Sequence, residues 1–421
     1  MRCSSLEEVR ELLASIRSLV SVDKDSIPSF TRGGLGVLDE FKDCFIDVVV
    51  GGLLGEAEKW IHETQHGVEQ LVKALSLTGF TYPREFRSFV ENPRHHLRKK
   101  IFNYVYDLAR GRLGFEEFVR KAGAALRTSI RTNMRTAYQI WGLTQIMRIL
   151  AEEGYYLAYP EHGFISFDRS GKQRLGIIPP NAVLGRIDEG FISIFHEAPR
   201  PLGWEDTGDL QRVWSLYTAL RPDAMIYTGM VLNIVDLSRS PPIKRPTIIL
   251  EFKELEDWYN RVRDLKGYFR KPLTAEEWRS MWLEGLFQGL ADIMGVKRSE
   301  VRERVEEARS LRVREYQLVK LYKTVYNPEK MILITRSKTP SDVREELENH
   351  GIIVYDDVGF DATRLRRVAE EIRRHASFNG AREVTLRLPL PLAKKLQRVM
   401  KKLGASSLEE MIEKLGSLIN T

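Results

Sequence analysis

The feature that most restricts what this chain can fold into is a change of hydrophobic period along its length. From residue 1 to about 130, apolar side chains recur at helical spacing, with few β-branched runs and almost no strand alternation. Turn signals such as Arg32-Gly33-Gly34 and Tyr82-Pro83 interrupt the pattern. Between Tyr138 and Tyr159 the pattern changes: a helix ending in Ile-Leu-Ala-Glu-Glu-Gly gives way to a strand-like Tyr-Tyr-Leu-Ala-Tyr. Strand candidates follow at 164–167, 191–195, 223–227 and 247–253. A long charged helical region containing Trp258, Trp278 and Trp282 comes next. The sheet resumes at 331–335, a helix is predicted over 341–349, and a last strand over 351–355. Strands alternating with helices predict a mixed α/β sheet, so the chain is expected to be multidomain, all-α and then α/β.

Length points the same way. A chain of 421 residues exceeds what one core usually organises, and about 150 residues per domain gives two or three domains. A charged helix ends near Arg374, residues 376–381 read as a linker, and the last 40 or so residues carry a compact pattern of their own. The expected division is therefore a helical domain over 1–132, an α/β domain over 133–375 and a small module over 382–421.

With 43% hydrophobic and 29% charged residues, disordered and fibrous classes are excluded. The net charge of +7, from 65 Lys+Arg against 58 Asp+Glu, favours anionic partners. Cys3 and Cys44 are too few for a disulfide framework, zinc-type Cys/His spacing is missing, and a reducing compartment is expected. The N-terminus suits a capped amphipathic helix better than a signal peptide, and the longest apolar stretch, 45–54, is broken by Asp47 and too short for a bilayer. A cytoplasmic protein without membrane contact is the expectation.

Two basic patches stand out in the helical part. One is the run Arg94-His95-His96-Leu97-Arg98-Lys99-Lys100. The other is Arg127, Arg131 and Arg135, whose spacing puts three cations on one helix face, as a row that could follow a phosphate backbone. Each also reads as a solvated helix face. The pairs His95-His96 and His196-Glu197 invite a metal reading, but adjacent helical residues do not share a face, and a surface role is expected for the histidines.

The strongest chemical signal is Arg221-Pro222-Asp223 followed by Glu251-Phe252-Lys253, each on a strand candidate. In Glu-Phe-Lys the outer residues share one face while Phe252 turns into the core. If the strand bearing Asp223 pairs beside this one, Asp223 and Glu251 converge as two hard oxygen ligands suited to Mg²⁺. A turn role for Asp223 and an exposed pair for Glu251 and Lys253 is the bland alternative.

These residues resemble the PD-(D/E)xK nuclease superfamily, which includes restriction endonucleases and Holliday-junction resolvases. The match comprises Pro222-Asp223, an apolar strand, the Glu-x-Lys triplet, and the strand 332–335 followed by Ser337-Lys338. It extends over roughly residues 135 to 357. The resemblance implies a restriction-endonuclease-like mixed-sheet α/β core, Asp223 and Glu251 as ligands of Mg²⁺, with Mn²⁺ as a substitute, and Lys253 as the catalytic lysine. The family's carboxylate on the first core helix has no direct counterpart. Gln139 and Gln145 stand at that depth, acids occur only at the helix end as Glu152 and Glu153, and Glu189 or Glu197 could substitute. Gln317 and Tyr322 stand five apart and so depart from the Gln-x-x-x-Tyr element of some relatives.

At the C-terminus, Val384, Leu386 and Leu388 alternate with Glu383, Thr385 and Arg387 in a short strand ended by Pro389. An amphipathic helix follows, is stopped by Gly404, and leads to a second helix with a Ser407/Glu410 capping box. One strand and two helices cannot bury this much apolar surface alone. The segment resembles the ribbon-helix-helix fold, which implies an antiparallel ribbon shared by a homodimer, with Glu383, Thr385 and Arg387 facing base edges in the major groove of DNA. A helical dimerisation tail without DNA contact is the alternative. Together the modules predict a metal-dependent DNA endonuclease held on DNA by a dimeric reader. The rivals are a nuclease for branched DNA or RNA, and a catalytically inactive DNA-binding structural or regulatory protein.

Overall fold

The computed structural model describes residues 3–22, 28–30, 34–168, 177–187, 189–198, 221–236, 238–239, 241, 243–264, 287–308, 312–376 and 390–419. They fall into two compact units, one spanning residues 1–378 and the other residues 379–421.

The first unit opens with five helices: α1 (Leu6–Leu19), α2 (Gly34–Ala74), α3 (Arg84–Glu91), α4 (Pro93–Ala109) and α5 (Phe115–Glu152). Their ends are written locally. Ser5 Oγ accepts from the Glu8 amide at 3.3 Å at the start of α1, and Asn92 accepts from the His95 amide at 2.9 Å at the start of α4, where Pro93 takes the first helical position. The long helices are α2, with 41 residues, and α5, with 38. From Ala137 to Met147 every residue of α5 is buried, as expected of a helix enclosed on all sides. Thr64 on α2 donates to the Ala137 carbonyl at 3.2 Å, joining the two helices.

This part is less purely helical than its periodicity predicts. Short strands β1 (Val20–Val22), β2 (Pro28–Phe30) and β3 (Gly79–Thr81) interrupt it, and β3 pairs in parallel with β5 (Phe164–Ser166). Three-residue strands carry too little alternation to register in a sequence window.

Among the described residues the main sheet has seven strands. Besides β4 (Tyr156–Tyr159) it contains β6 (Ala182–Arg186), β7 (Gly190–His196), β8 (Ala224–Thr228), β9 (Ile248–Lys253), β12 (Lys330–Thr335) and β13 (Ile352–Tyr355), in the order β13-β12-β9-β8-β7-β6-β4. The strands from β4 to β9 pair antiparallel along this order, and β9, β12 and β13 run parallel. Between them lie β10 (Val262–Asp264), β11 (Arg312–Arg314), α6 (Arg298–Ala308), α7 (Glu315–Tyr326) and α8 (Ser341–Asn349), and α9 (Arg366–Ala376) closes the unit.

Both faces of the sheet are buried. Ala224, Ile226, Ile248, Leu250, Phe252, Ile332 and Ile334 face a core shared with α1 to α5, while Met225, Tyr227, Ile249, Met331 and Leu333 face a second core with α7 and α8. The period of two therefore sends apolar residues to both sides.

Several expectations change. The boundary placed between 132 and 133 falls inside α5, and residues from both sides of it enter one core, so the helical and α/β parts form a single unit. Cys3 and Cys44 are joined by a disulfide 41 residues apart in sequence, which removes the argument from cysteine content to a reducing compartment. His96 and His196 are buried rather than on the surface. His96 packs edge-on against Phe89 and lies 3.2 Å from Ser129 Oγ, and burial pushes its pKa down to about 4. The charged helical stretch after β9 begins with a 3₁₀ turn at Trp258–Asn260 and the strand β10, and Trp278 and Trp282 lie outside the described residues. Among the described residues no helix is long and apolar enough to cross a membrane.

The second unit contains α10 (Leu390–Leu403) and α11 (Leu408–Ile419). Gly404 adopts φ +61° at the stop between them, a conformation that costs glycine nothing. Ser407 Oγ accepts from the Glu410 amide at 3.1 Å, and the Glu410 carboxylate accepts from Ser406. The strand expected over 382–389, with Glu383, Thr385 and Arg387, lies outside the described residues.

Candidate active site

β8 and β9 pair antiparallel with Ala224 opposite Leu250, which sets Asp223, just before β8, beside Glu251. Glu251 and Lys253 share the face of β9 that looks toward α7, while Phe252 turns to the α5 side and meets the Tyr138 ring edge-on. The three residues singled out from sequence therefore meet at one strand end, all buried, with exposures of 9% for Asp223, 3% for Glu251 and 6% for Lys253.

The cluster is tightly bonded. The Asp223 amide donates to Glu251 Oε2 at 3.1 Å, and the Phe252 amide donates to Asp223 Oδ2 at 2.7 Å. Lys253 Nζ is held between Glu251 Oε1 at 2.8 Å and Glu315 Oε2 at 3.0 Å. Gln139 Nε2 on α5 donates to Asp223 Oδ1 at 2.6 Å. Burial pushes the Asp223 carboxyl well above its ordinary range and the neighbouring Glu251 charge adds to this, while Lys253 and Arg135 oppose it. Burial likewise raises Glu254, against Arg135, Lys253 and Arg261.

Gln139 reaches Asp223 because α5 lies hard against β9. A Cβ on Gly142 would stand 2.3 Å from the Phe252 ring, so glycine is what permits the approach. Gln139 thus takes the place on the first core helix where an acid was sought. The acids considered for it are engaged elsewhere: Glu152 with Arg148 and Arg366, Glu153 with Arg373, and Glu189 with Arg373 and Arg186. Glu197 touches the cluster through its backbone, its amide donating to the Asp223 carbonyl at 2.8 Å.

Two residues of the site escape sequence reasoning. Glu315 opens α7, where the helix dipole favours an acid, and enters the site from 62 residues beyond Lys253. Glu254 follows the triplet, is buried and lies within electrostatic reach of Arg135, Lys253 and Arg261. Gln317 and Tyr322 lie on the same helix as Glu315. Gln317 Oε1 accepts from the Arg314 amide at 2.9 Å, and Tyr322 is buried in the second core.

Four buried carboxyl groups, Asp223, Glu251, Glu254 and Glu315, gather around Lys253, with Arg135 and Arg261 within electrostatic reach of Glu254, and burial pushes Asp223 and Glu254 toward their neutral forms. Gln139 Oε1 is buried and has no hydrogen-bond partner among the described residues. Among those residues no three His, Cys, Asp or Glu side chains group to hold a metal, so a hard cation would have to draw on two carboxylates and this amide oxygen. That donor set is all oxygen and fits Mg²⁺ better than zinc.

The two basic patches differ. Arg94 pairs with Asp47, Arg98 with Asp43, and Lys100 with Glu85, so the 94–100 run is largely neutralised. Arg127, Arg131 and Arg135 form no ion pair with any described acid.

No family model, curated protein or solved structure matches this chain.

Proposed function

We propose that the chain is a metal-dependent nuclease that hydrolyses phosphodiester bonds in DNA. The observation that carries the reading is the meeting of Asp223, Glu251 and Lys253 at one buried strand end, with Gln139 and Glu315 fixing their orientation. Asp223, Glu251 and Gln139 Oε1 would hold Mg²⁺ or Mn²⁺, which when bound polarises a phosphate oxygen and acidifies water. Lys253, pinned by two carboxylates, presents one ammonium to the attacking water or to the charge that builds on the phosphate. Gln139 and the Phe252 amide hold the Asp223 carboxylate in one orientation, so little rearrangement is needed when substrate arrives.

The second unit supports a reading as a dimeric DNA reader. Leu392, Val399, Leu408 and Ile412 are 48%, 39%, 36% and 56% exposed, an apolar face that two helices cannot cover. In this reading a second copy covers it, and Glu383, Thr385 and Arg387 face the bases. A rival is a DNA-binding protein without catalysis, favoured by the fact that all four oxygens of Asp223 and Glu251 already accept hydrogen bonds within the protein.

Nicking of supercoiled plasmid with Mg²⁺ or Mn²⁺ decides between them. Wild type should cut, and Asp223→Asn, Glu251→Gln and Lys253→Met should each lose on the order of 10²-fold or more in rate while still shifting DNA in a gel. Full cleavage by Lys253→Met overturns the assignment, and a wild type that binds without cutting supports the rival.

A further inference from the structure

On α5, Arg127, Arg131, Arg135 and Gln139 follow one another at intervals of four residues and so lie along one face in steps of roughly 6 Å. Arg127 and Arg131 are exposed and Arg135 is half-buried. None pairs with a described acid, although acids neutralise the neighbouring basic run on α4. The guanidinium of Arg135 keeps a buried Nε with no partner among the described residues. One turn further along the face, Gln139 touches Asp223. Three guanidiniums outside any ion pair thus lead from solvent along one rigid helix to the carboxylate cluster, where the last of them, Arg135, lies within electrostatic reach of Asp223 and Glu254. A fork of donors left open beside buried acids is suited to a group that brings its own negative charge and oxygen acceptors.

We propose that Arg127, Arg131 and Arg135 form a track for a nucleic-acid phosphate backbone, ending with Arg135 on the phosphate presented to Asp223 and Glu251. The track reads no bases, because the row offers charge and no base-edge pattern, and it is independent of the C-terminal ribbon. The role of Arg135 in cleavage rests on the nuclease reading; the binding of phosphates does not.

The test measures the binding of the full-length protein to a short random-sequence DNA duplex and to the corresponding single strand, without divalent metal, over a range of salt. Each neutralised phosphate contributes about 0.9 to the slope of log K against log salt on duplex and about 0.7 on single strand. Arg127→Ala, Arg131→Ala and Arg135→Ala should each lower the slope by about that amount, and the triple variant by about three times as much. Arg94→Ala, which removes a cation already paired with Asp47, should leave it unchanged. A loss confined to duplex assigns the track to duplex, and losses on both in the ratio of about 0.9 to 0.7 assign it to the phosphate backbone of either form. Equal slopes for wild type and triple variant overturn it, as does an equal loss in Arg94→Ala.

In the cleavage assay Arg127→Ala and Arg131→Ala should raise KM, whereas Arg135→Ala should lower kcat by about 10²-fold. Arg135→Lys should keep the slope and recover only part of kcat, since an ammonium lacks the fork. An unchanged kcat in Arg135→Ala removes its contact with the reacting phosphate. Cleavage that survives Asp223→Asn overturns the placing of the chemistry at this cluster, and a wild type that does not cut overturns the nuclease reading; either leaves the binding result standing, so the failures are separable.

Discussion

Lys253 shows what a single residue both supplies and costs in this protein. Its ammonium is buried between Glu251 and Glu315, and a buried ion pair adds little net stability against an apolar replacement, yet removing one partner leaves the other charge stranded. Lys253→Ala should therefore lower unfolding free energy by about 3 to 5 kcal/mol in urea titration. Adding Glu315→Gln should return part of the loss, because a neutral amide replaces one stranded carboxylate. Additive losses in the double variant would mean that Glu315 does not bear on Lys253. The Glu-x-Lys spacing was legible in sequence because strand alternation alone sets its two outer side chains on one face. Glu315 was not legible, since nothing local distinguishes an acid at a helix start that caps the dipole from one that also meets a distant lysine.

Among the elements, the fit of α5 against β9 governs the site. Gly142 lets the helix approach until Phe252 fills the space where a Cβ would be, and this approach brings Gln139 to Asp223. Gly142→Ala should cost about 1 to 3 kcal/mol by overpacking, and should weaken cleavage more than Ala at an exposed helix position. Phe252→Leu in the same chain should relieve part of the strain, and a thermal melt of the single and double variants reads the difference. At the other end of the helical part, the Cys3–Cys44 disulfide ties the segment before α1 to α2. Opening a loop of this size by Cys44→Ser should cost roughly 4 kcal/mol on the chain-entropy account. The same melt with and without dithiothreitol checks it: reductant should lower the wild-type midpoint and leave Cys44→Ser unmoved.

At the scale of the whole molecule the two units make separate demands. Residues 1–378 enclose two continuous cores, whereas α10 and α11 leave Leu392, Val399, Leu408 and Ile412 exposed. Truncation after residue 378 should leave a folded, monomeric protein that still carries the Asp223, Glu251 and Lys253 cluster, while the full chain should sediment as a dimer. A full chain that is monomeric at micromolar concentration, or a truncated one that remains dimeric, removes the pairing assigned to the second unit.

Sequence alone determined what is local. The strands 223–227, 247–253 and 331–335, the cap and glycine stop of the C-terminal helices, and the sharing of one face by Glu251 and Lys253 all follow from period, caps and turn chemistry within a few residues. Tertiary structure decided what depends on approach between segments far apart in the chain. It ran α5 through the expected boundary near 132, joined Cys3 to Cys44, buried His96 and His196, and brought Gln139 and Glu315 to residues 84 and 62 positions away. No window of sequence carries those meetings, because each is set by how closely two surfaces pack and by which buried charge then needs a partner.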